Sequence, residues 1–220
     1  MRTNPDIRLE LDLWTSGMKY VAGLDEAGRG ALAGPVAVGA IILPCPTAPL
    51  REMQTAGQDS GIPAALAGVR DSKQMTPAER ATRAPRIKDQ ALCWAVGFAS
   101  AAEIDSDGIV AATRLAAMRA IEQLFVFPEY LLTDFRLELP ELDIPQTALV
   151  KGDARCLSIA AASVLAKTAR DALMCEMELQ MPGYGLARHK GYGTRAHVHA
   201  IRQIGYSPVH RKSFTIKSLS

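Results

Sequence analysis

The stretch VAGLDEAGRGALAGP, Val21 to Pro35, decides how the rest of the chain is read. An apolar run suited to a buried strand ends in two adjacent acids, Asp25 and Glu26, and a glycine-arginine-glycine turn follows at once. The β-branched PVAVGAIILP then reads as a second strand, so the two form a hairpin-like pair around the turn. A dinucleotide fingerprint, G-x-G-x-x-A over Gly28 to Ala33, fits poorly. Pro35 and the β-branched run deny the helix that would receive a pyrophosphate, and the acids just upstream oppose its charge.

Further along, strands alternate with helices, which defines an α/β class, and the early hairpin favours a mixed sheet. ALCWAVGFAS, EYLLTD and TALVKGD read as strands. GIVAATRLAAMRAIEQLF reads as a helix with Ile109, Ala112, Leu115, Ala116, Ile121 and Phe125 on one side. SIAAASVLAKTARDALMCEMEL reads as a second, ended by Pro182-Gly183. Thr76, Pro77 and Glu79 mark a capped helix start, with Pro85 expected to kink or divide that helix. Residues 1–18 read as a leader in which IRLELDLW forms an edge strand. The core spans 19–178, with a flexible surface insertion over 45–70, rich in Pro, Ala, Gly and Gln.

The chain is 220 residues long, and a 48% hydrophobic, 22% charged composition argues against global disorder. Its net charge of +2 conceals an asymmetry. Residues 179–220 contain no acid and carry +7, so the rest carries −5. All four histidines and Tyr184, Tyr192, Tyr206 and Phe214 also lie in that segment, and basic residues interleaved with aromatics suit a nucleic-acid surface. The cysteines Cys45, Cys93, Cys156 and Cys175 form no CxxC pair, which implies reduced thiols in a cytoplasmic protein. The start lacks an apolar targeting core, and no run makes a good bilayer span, so neither export nor a membrane location is expected.

Three strand-like runs end in acids: Asp25 and Glu26, then Asp134, then Asp153. Strand ends of open α/β sheets are where sites gather, and converging carboxylates call for a hard divalent cation, Mg²⁺ or Mn²⁺. Two such ions about 4 Å apart activate a water and steady the leaving oxygen of a phosphodiester. Because consecutive strand residues face opposite ways, one of Asp25 and Glu26 is expected to lie in a bend.

The blocks GLDEAGRGALAGPVAVGAIIL, DSKQMTPAER, VKGDARCLSIAAASVLAKTARD and HKGYGTRAHVHAIRQIGYSPVHRKSF resemble the bacterial ribonuclease HII family, the type 2 ribonucleases H, in order from about Tyr20 to Phe214. The resemblance implies a ribonuclease H-like fold, cleavage of the RNA strand of RNA–DNA hybrids, and nicking of duplex DNA 5′ to misincorporated ribonucleotides, leaving 3′-hydroxyl and 5′-phosphate ends. It implies that Asp25, Glu26, Asp134 and Asp153 are the metal-binding carboxylates, and that Gly28, Arg29 and Gly30 read the ribose 2′-hydroxyl, the group that separates RNA from DNA. It further implies that Tyr192 packs on the sugar next to the cut, that Lys73 holds a backbone phosphate, and that the enzyme is a monomer. Lys167 and Asp171, four apart on a helix, are expected to pair, and His197 and His199 to lie at the surface. Asp134-Phe135 stands where the family has Asp-Gly, the 45–70 insertion is long, and no helical extension follows HRKSF. A non-catalytic hybrid-binding module and a DNA nuclease or integrase of similar fold are the rival readings.

Overall fold

The computed structural model describes residues 4–46, 64–134 and 137–215. Five strands form one sheet: β1 Val21–Ala27, β2 Val36–Ile42, β3 Cys93–Ala99, β4 Tyr130–Asp134 and β5 Gln146–Leu149. Their order is β3-β2-β1-β4-β5. β1 and β2 pair antiparallel, as do β2 and β3, whereas β1–β4 and β4–β5 are parallel. The sheet is therefore mixed, as the sequence implied, and β1 is central. Two parallel neighbours, β1 and β4, end side by side, which brings their terminal acids to one edge.

Helices cover both faces. The main ones are α1 Arg8–Thr15, α2 Pro77–Gln90, α3 Ala101–Glu122 and α4 Leu157–Gln180. The smaller α5 Leu186–His189 and α6 Arg195–Ile204 follow. α4 packs with α1 and α2 on the face that carries Val21, Ile41 and Leu132. α3 covers the other face, over Ala22, Leu24, Val38 and Ala40. A third apolar cluster, Ala33, Met174, Tyr184, Leu186 and Ile201, joins the C-terminal segment to the second half of α4. α4 lies so close to the sheet that a Cβ on Gly39 would overlap the Ala162 carbonyl. Its small residues, Ala160 to Ala162 among them, make that approach possible.

Four local expectations are corrected. IRLELDLW is helical from Arg8 onward, because Ile7, Leu11 and Trp14 recur at a helical period and bury one face. α2 runs unbroken through Pro85, whose ring and the Ala81 carbonyl it deprives of a donor both face solvent. α3 begins seven residues before the Gly108 at which the sequence placed its start, behind a Ser100–Glu103 capping box, and Gly108 at φ 81° marks a break inside it. α3 stops at Glu122, so Phe125 is exposed and Leu124 turns inward instead. Most of the 45–70 insertion, residues 47–63, lies outside the described residues. Its far end is no surface loop, since Leu66 and Val69 are buried in the core.

Glu10 gives α1 a second task. It is fully buried and accepts hydrogen bonds from the Ser158 N–H at 2.8 Å and Cys156 Sγ at 3.1 Å. It thus caps the α4 N-terminus from 148 residues away, while burial raises its pKa. Gly39→Ala is expected to force α4 off the sheet and cost about 1–3 kcal/mol, read as a lower unfolding midpoint in urea.

Candidate active site

Asp25, Glu26 and Asp134 offer carboxylate oxygens that all lie within 4.8 Å of one another. β1 carries the first two and β4 the third. Neither Asp25 nor Glu26 sits in a bend, contrary to expectation. Both are paired in register with β2, Asp25 with Gly39 and Glu26 with Val38. Parallel pairing with β4 stops at Leu24–Thr133, so β1 projects beyond its neighbour. The Glu26 N–H donates to Asp25 Oδ1 at 2.7 Å, which draws that carboxylate along the strand edge rather than straight out from the sheet. Two successive side chains can then share one rim.

Asp153 does not belong to this tight triad. It lies in a short 3₁₀ turn, Gly152–Ala154, just before α4. It lines an adjoining cleft of 430 Å³ together with Asp134, Asp71 and Lys73. Asp134 links the two groups, and its Oδ1 also accepts from the Gly152 N–H at 2.7 Å. Phe135, which replaces the glycine expected after Asp134, lies outside the described residues.

The electrostatics are those of acids crowded together. Burial pushes the Asp25 carboxyl well above the usual range, and Glu26 and Asp134 push it further. Glu26 is raised by burial, with Arg29 opposing from 3.9 Å and Asp134 adding to it. Asp153 is raised to about 6 by burial, then by Asp71 and Asp134. Burial works against the Lys73 ammonium, but Asp25, Asp71, Asp153 and Glu26 together raise its pKa. Asp25 Oδ2 and Glu26 Oε2 are buried without a hydrogen-bond partner. Oxygen donors this close, repelling and unpartnered, fit a hard divalent cation.

The glycine-arginine-glycine turn follows directly. Gly28 has φ 87°, and a Cβ there would run into the Arg170 side chain. Gly30 is different: it is exposed, and a Cβ would meet nothing within 4 Å. One glycine answers to the protein beneath it, the other faces open space.

Two buried arginines that the sequence did not single out hold this turn. Arg170 of α4 donates to the carbonyls of Pro35 at 2.8 Å, Lys190 at 2.9 Å and Ala33 at 3.0 Å. Arg211 donates to Arg29 at 2.8 Å and Gly34 at 3.0 Å. Burial and then the neighbouring Arg170 lower Arg211 to about 9. The signal was the loop itself: a segment outside the strand ladders must find partners for its carbonyls elsewhere. Tyr192 lies half-buried against the same pair of elements, its ring centroid 5.5 Å from the Arg170 guanidinium and 5.3 Å from Lys167 Nζ. Lys167 and Asp171 pair as expected at 2.6 Å, and Arg80 joins Asp171 from α2 at 3.1 Å. His199 is exposed, but His197 is not at the surface: it is fully buried, because α6 turns that side toward His189 and His210.

A mixed five-stranded sheet flanked by helices, with acids gathered at the ends of adjacent β1 and β4, defines a ribonuclease H-like nuclease. The family model for ribonuclease HII matches residues 22–217, and the chain belongs to that family, a family of endoribonucleases. It is 46% identical to the ribonuclease HII of Dehalococcoides mccartyi, across 96% of this chain and 93% of the relative. It is 50% identical to that of Synechococcus sp., across 96% and 88%. Among solved structures, the PCNA:RNase HII complex from Archaeoglobus fulgidus superposes with a TM-score of 0.68 at 21% identity, covering 90% of this chain and 96% of that one. That similarity is one of fold.

Asp153 gives a pH test. An acid whose folded pKa is raised binds more protons folded than unfolded, so it subtracts stability as pH rises from about 4 to about 6 and keeps subtracting above. In chelator at pH 8, Asp153→Asn should therefore melt above the unaltered protein. The gap should narrow toward pH 4 and vanish below it, once the carboxyl is neutral in both states; scanning calorimetry across that range reads it.

Proposed function

We propose that the protein cuts the RNA strand of RNA–DNA hybrids and nicks duplex DNA 5′ to single embedded ribonucleotides, leaving 3′-hydroxyl and 5′-phosphate ends. The observation that carries this reading is the juxtaposition of the Asp25–Glu26–Asp134 carboxylates with an exposed glycine backbone one turn away. Asp25, Glu26, Asp134 and Asp153 would hold Mg²⁺ or Mn²⁺. A bound divalent ion supplies Lewis-acid charge that makes water a better nucleophile and steadies the departing 3′-oxygen.

The protein's own residues set the rest. The Gly28-Arg29-Gly30 turn presents its backbone to the ribose 2′-hydroxyl, and at Gly30 no side chain intervenes. Arg29, near Glu26, keeps positive charge beside the acids. Lys73, at the rim of the Asp153 cleft, is placed for a backbone phosphate. Tyr192 presents its ring to the sugar next to the cut. Basic residues of the C-terminal segment, Arg188, Arg195 and Arg202 among them, extend that surface toward the duplex. The protein acts as a monomer within the cytoplasm. No helix of the described residues is long and apolar enough to cross a membrane.

The decisive assay uses a labelled DNA duplex with one ribonucleotide, an all-DNA control and a long hybrid, each with Mg²⁺, with Mn²⁺ and with chelator. Metal-dependent cutting of the first and third alone is expected. Equal cutting of all-DNA would favour a DNA nuclease, and binding without cutting would favour a hybrid-binding module. Gly30→Ala should fold normally yet lose about tenfold or more in cleavage of the single-ribonucleotide duplex, since its methyl enters space kept for the sugar. Gly28→Ala should instead lose the fold around Arg170, visible as a lowered melting temperature.

A further inference from the structure

Beneath Tyr192 lie three histidines for which the proposed chemistry has no use. His197 and His210 are buried, and His189 stacks on His197 with ring centroids 4.3 Å apart. Their hydrogen bonds fix every tautomer. The Ser207 N–H donates to His210 Nδ1 at 3.0 Å, and the Ser207 hydroxyl lies 2.7 Å from the same nitrogen. A neutral imidazole that accepts at Nδ1 carries its proton on Nε2. His210 Nε2–H therefore donates to His197 Nε2, 3.1 Å away. His197 must then hold its own proton on Nδ1, which faces the Tyr192 carbonyl at 3.1 Å. His189 obeys the same rule: it accepts from the Gly191 N–H at Nδ1, 3.3 Å away, and donates from Nε2 to the Tyr184 carbonyl at 2.8 Å.

The result is a one-way chain of donors, Ser207 to His210 to His197, whose terminus is the Tyr192 peptide. The Tyr192 carbonyl also accepts from the Thr194 N–H at 2.8 Å, and the Tyr192 N–H, in the preceding peptide, donates to the His189 carbonyl at 3.0 Å. On its other side, the Gly191 carbonyl accepts from the N–H groups of Leu32 and Ala33, in the loop that follows the glycine-arginine-glycine turn. The chain works only with neutral rings, because a second proton on His197 would face the His210 Nε2–H head-on. Burial, then the nearby His189, holds His197 down to about 4, which keeps it neutral at ordinary pH. An apolar core would fill the same space without any such requirement. What the polar chain adds is a fixed direction and a fixed end point.

We propose that the Ser207–His210–His197 chain is a positioning device for Tyr192, and that it sets how strongly the enzyme prefers an isolated ribonucleotide over a continuous hybrid. The inference rests on the reading of Tyr192 as the residue that meets the sugar beside the cut.

The test compares cleavage of a single-ribonucleotide duplex with cleavage of a long hybrid, expressed as a ratio. Tyr192→Ala tests the underlying reading and should lower the ratio. His197→Leu, which removes the terminal donor, should lower the ratio about tenfold. His197→Asn should restore much of it, because its amide N–H occupies the place of Nδ1. His197→Leu added to Tyr192→Ala should change the ratio no further. If Tyr192→Ala lowers the ratio while His197→Leu leaves it unchanged, the positioning role is wrong and the sugar contact stands. If Tyr192→Ala leaves the ratio unchanged, both fall. Should His197→Leu fail to fold, long-range ¹H–¹⁵N spectra of the unaltered protein decide the matter. They should show a proton on Nδ1 of His197 and on Nε2 of His189 and His210, and the opposite tautomer at His197 would overturn the chain.

Discussion

Two guanidiniums buried against backbone carbonyls hold this molecule's working parts in register. Arg170 and Arg211 between them bind five carbonyls, four in the 29–35 loop and one at Lys190. That loop leaves the β1 acids and returns as β2 without joining the main ladder. Its N–H groups find the carbonyls of Gly191 and Val209, and its own carbonyls find the two arginines. Burying positive charge in this way is unfavourable in itself, as the lowered pKa of Arg211 records. Five charge-assisted bonds to otherwise orphaned oxygens offset that cost. One device therefore fixes the turn beside the acids, the start of β2 and the peptide leading to Tyr192.

The acids show the opposite economy. Asp25, Glu26 and Asp153 are all held above their ordinary pKa, so each subtracts stability when ionised. Among the described residues nothing neutralises the set; Arg29 and Lys73 only moderate it. The sheet tolerates this because β1 and β4 are apolar along most of their length and carry their acids only at one end. The tension is local, and a divalent cation held by these carboxylates would relieve it where it arises.

Much of this was legible in the chain itself. Apolar runs of strand length ended in acids, and the hairpin signal around Gly28 to Gly30 gave the mixed sheet. What failed was reasoning that assumed regular neighbours. The alternation rule placed Asp25 and Glu26 on opposite faces, yet β4 ends at Asp134, level with Asp25, and leaves the strand edge free beyond it. IRLELDLW alternates well enough for a strand, but Ile7, Leu11 and Trp14 share a helical face, and tertiary burial chose between the two. Arg170, Arg211 and His197 were hidden for a different reason. Residues of those types usually face water, and only the arrangement of distant carbonyls shows that here they turn inward.

The partners of the turn are far apart along the chain, since Arg211 and Arg29 are 182 residues distant. During synthesis Asp25 and Glu26 emerge early, while both guanidiniums that organise their turn are made much later. Until residue 211 is available, the carbonyls of Arg29 and Gly34 lack the donor that fixes them. Contacts of such long separation also form slowly. A nascent chain thus carries the acids of a nuclease through more than 180 further residues of synthesis before Arg211, 182 residues after Arg29, can complete the framework that aims them.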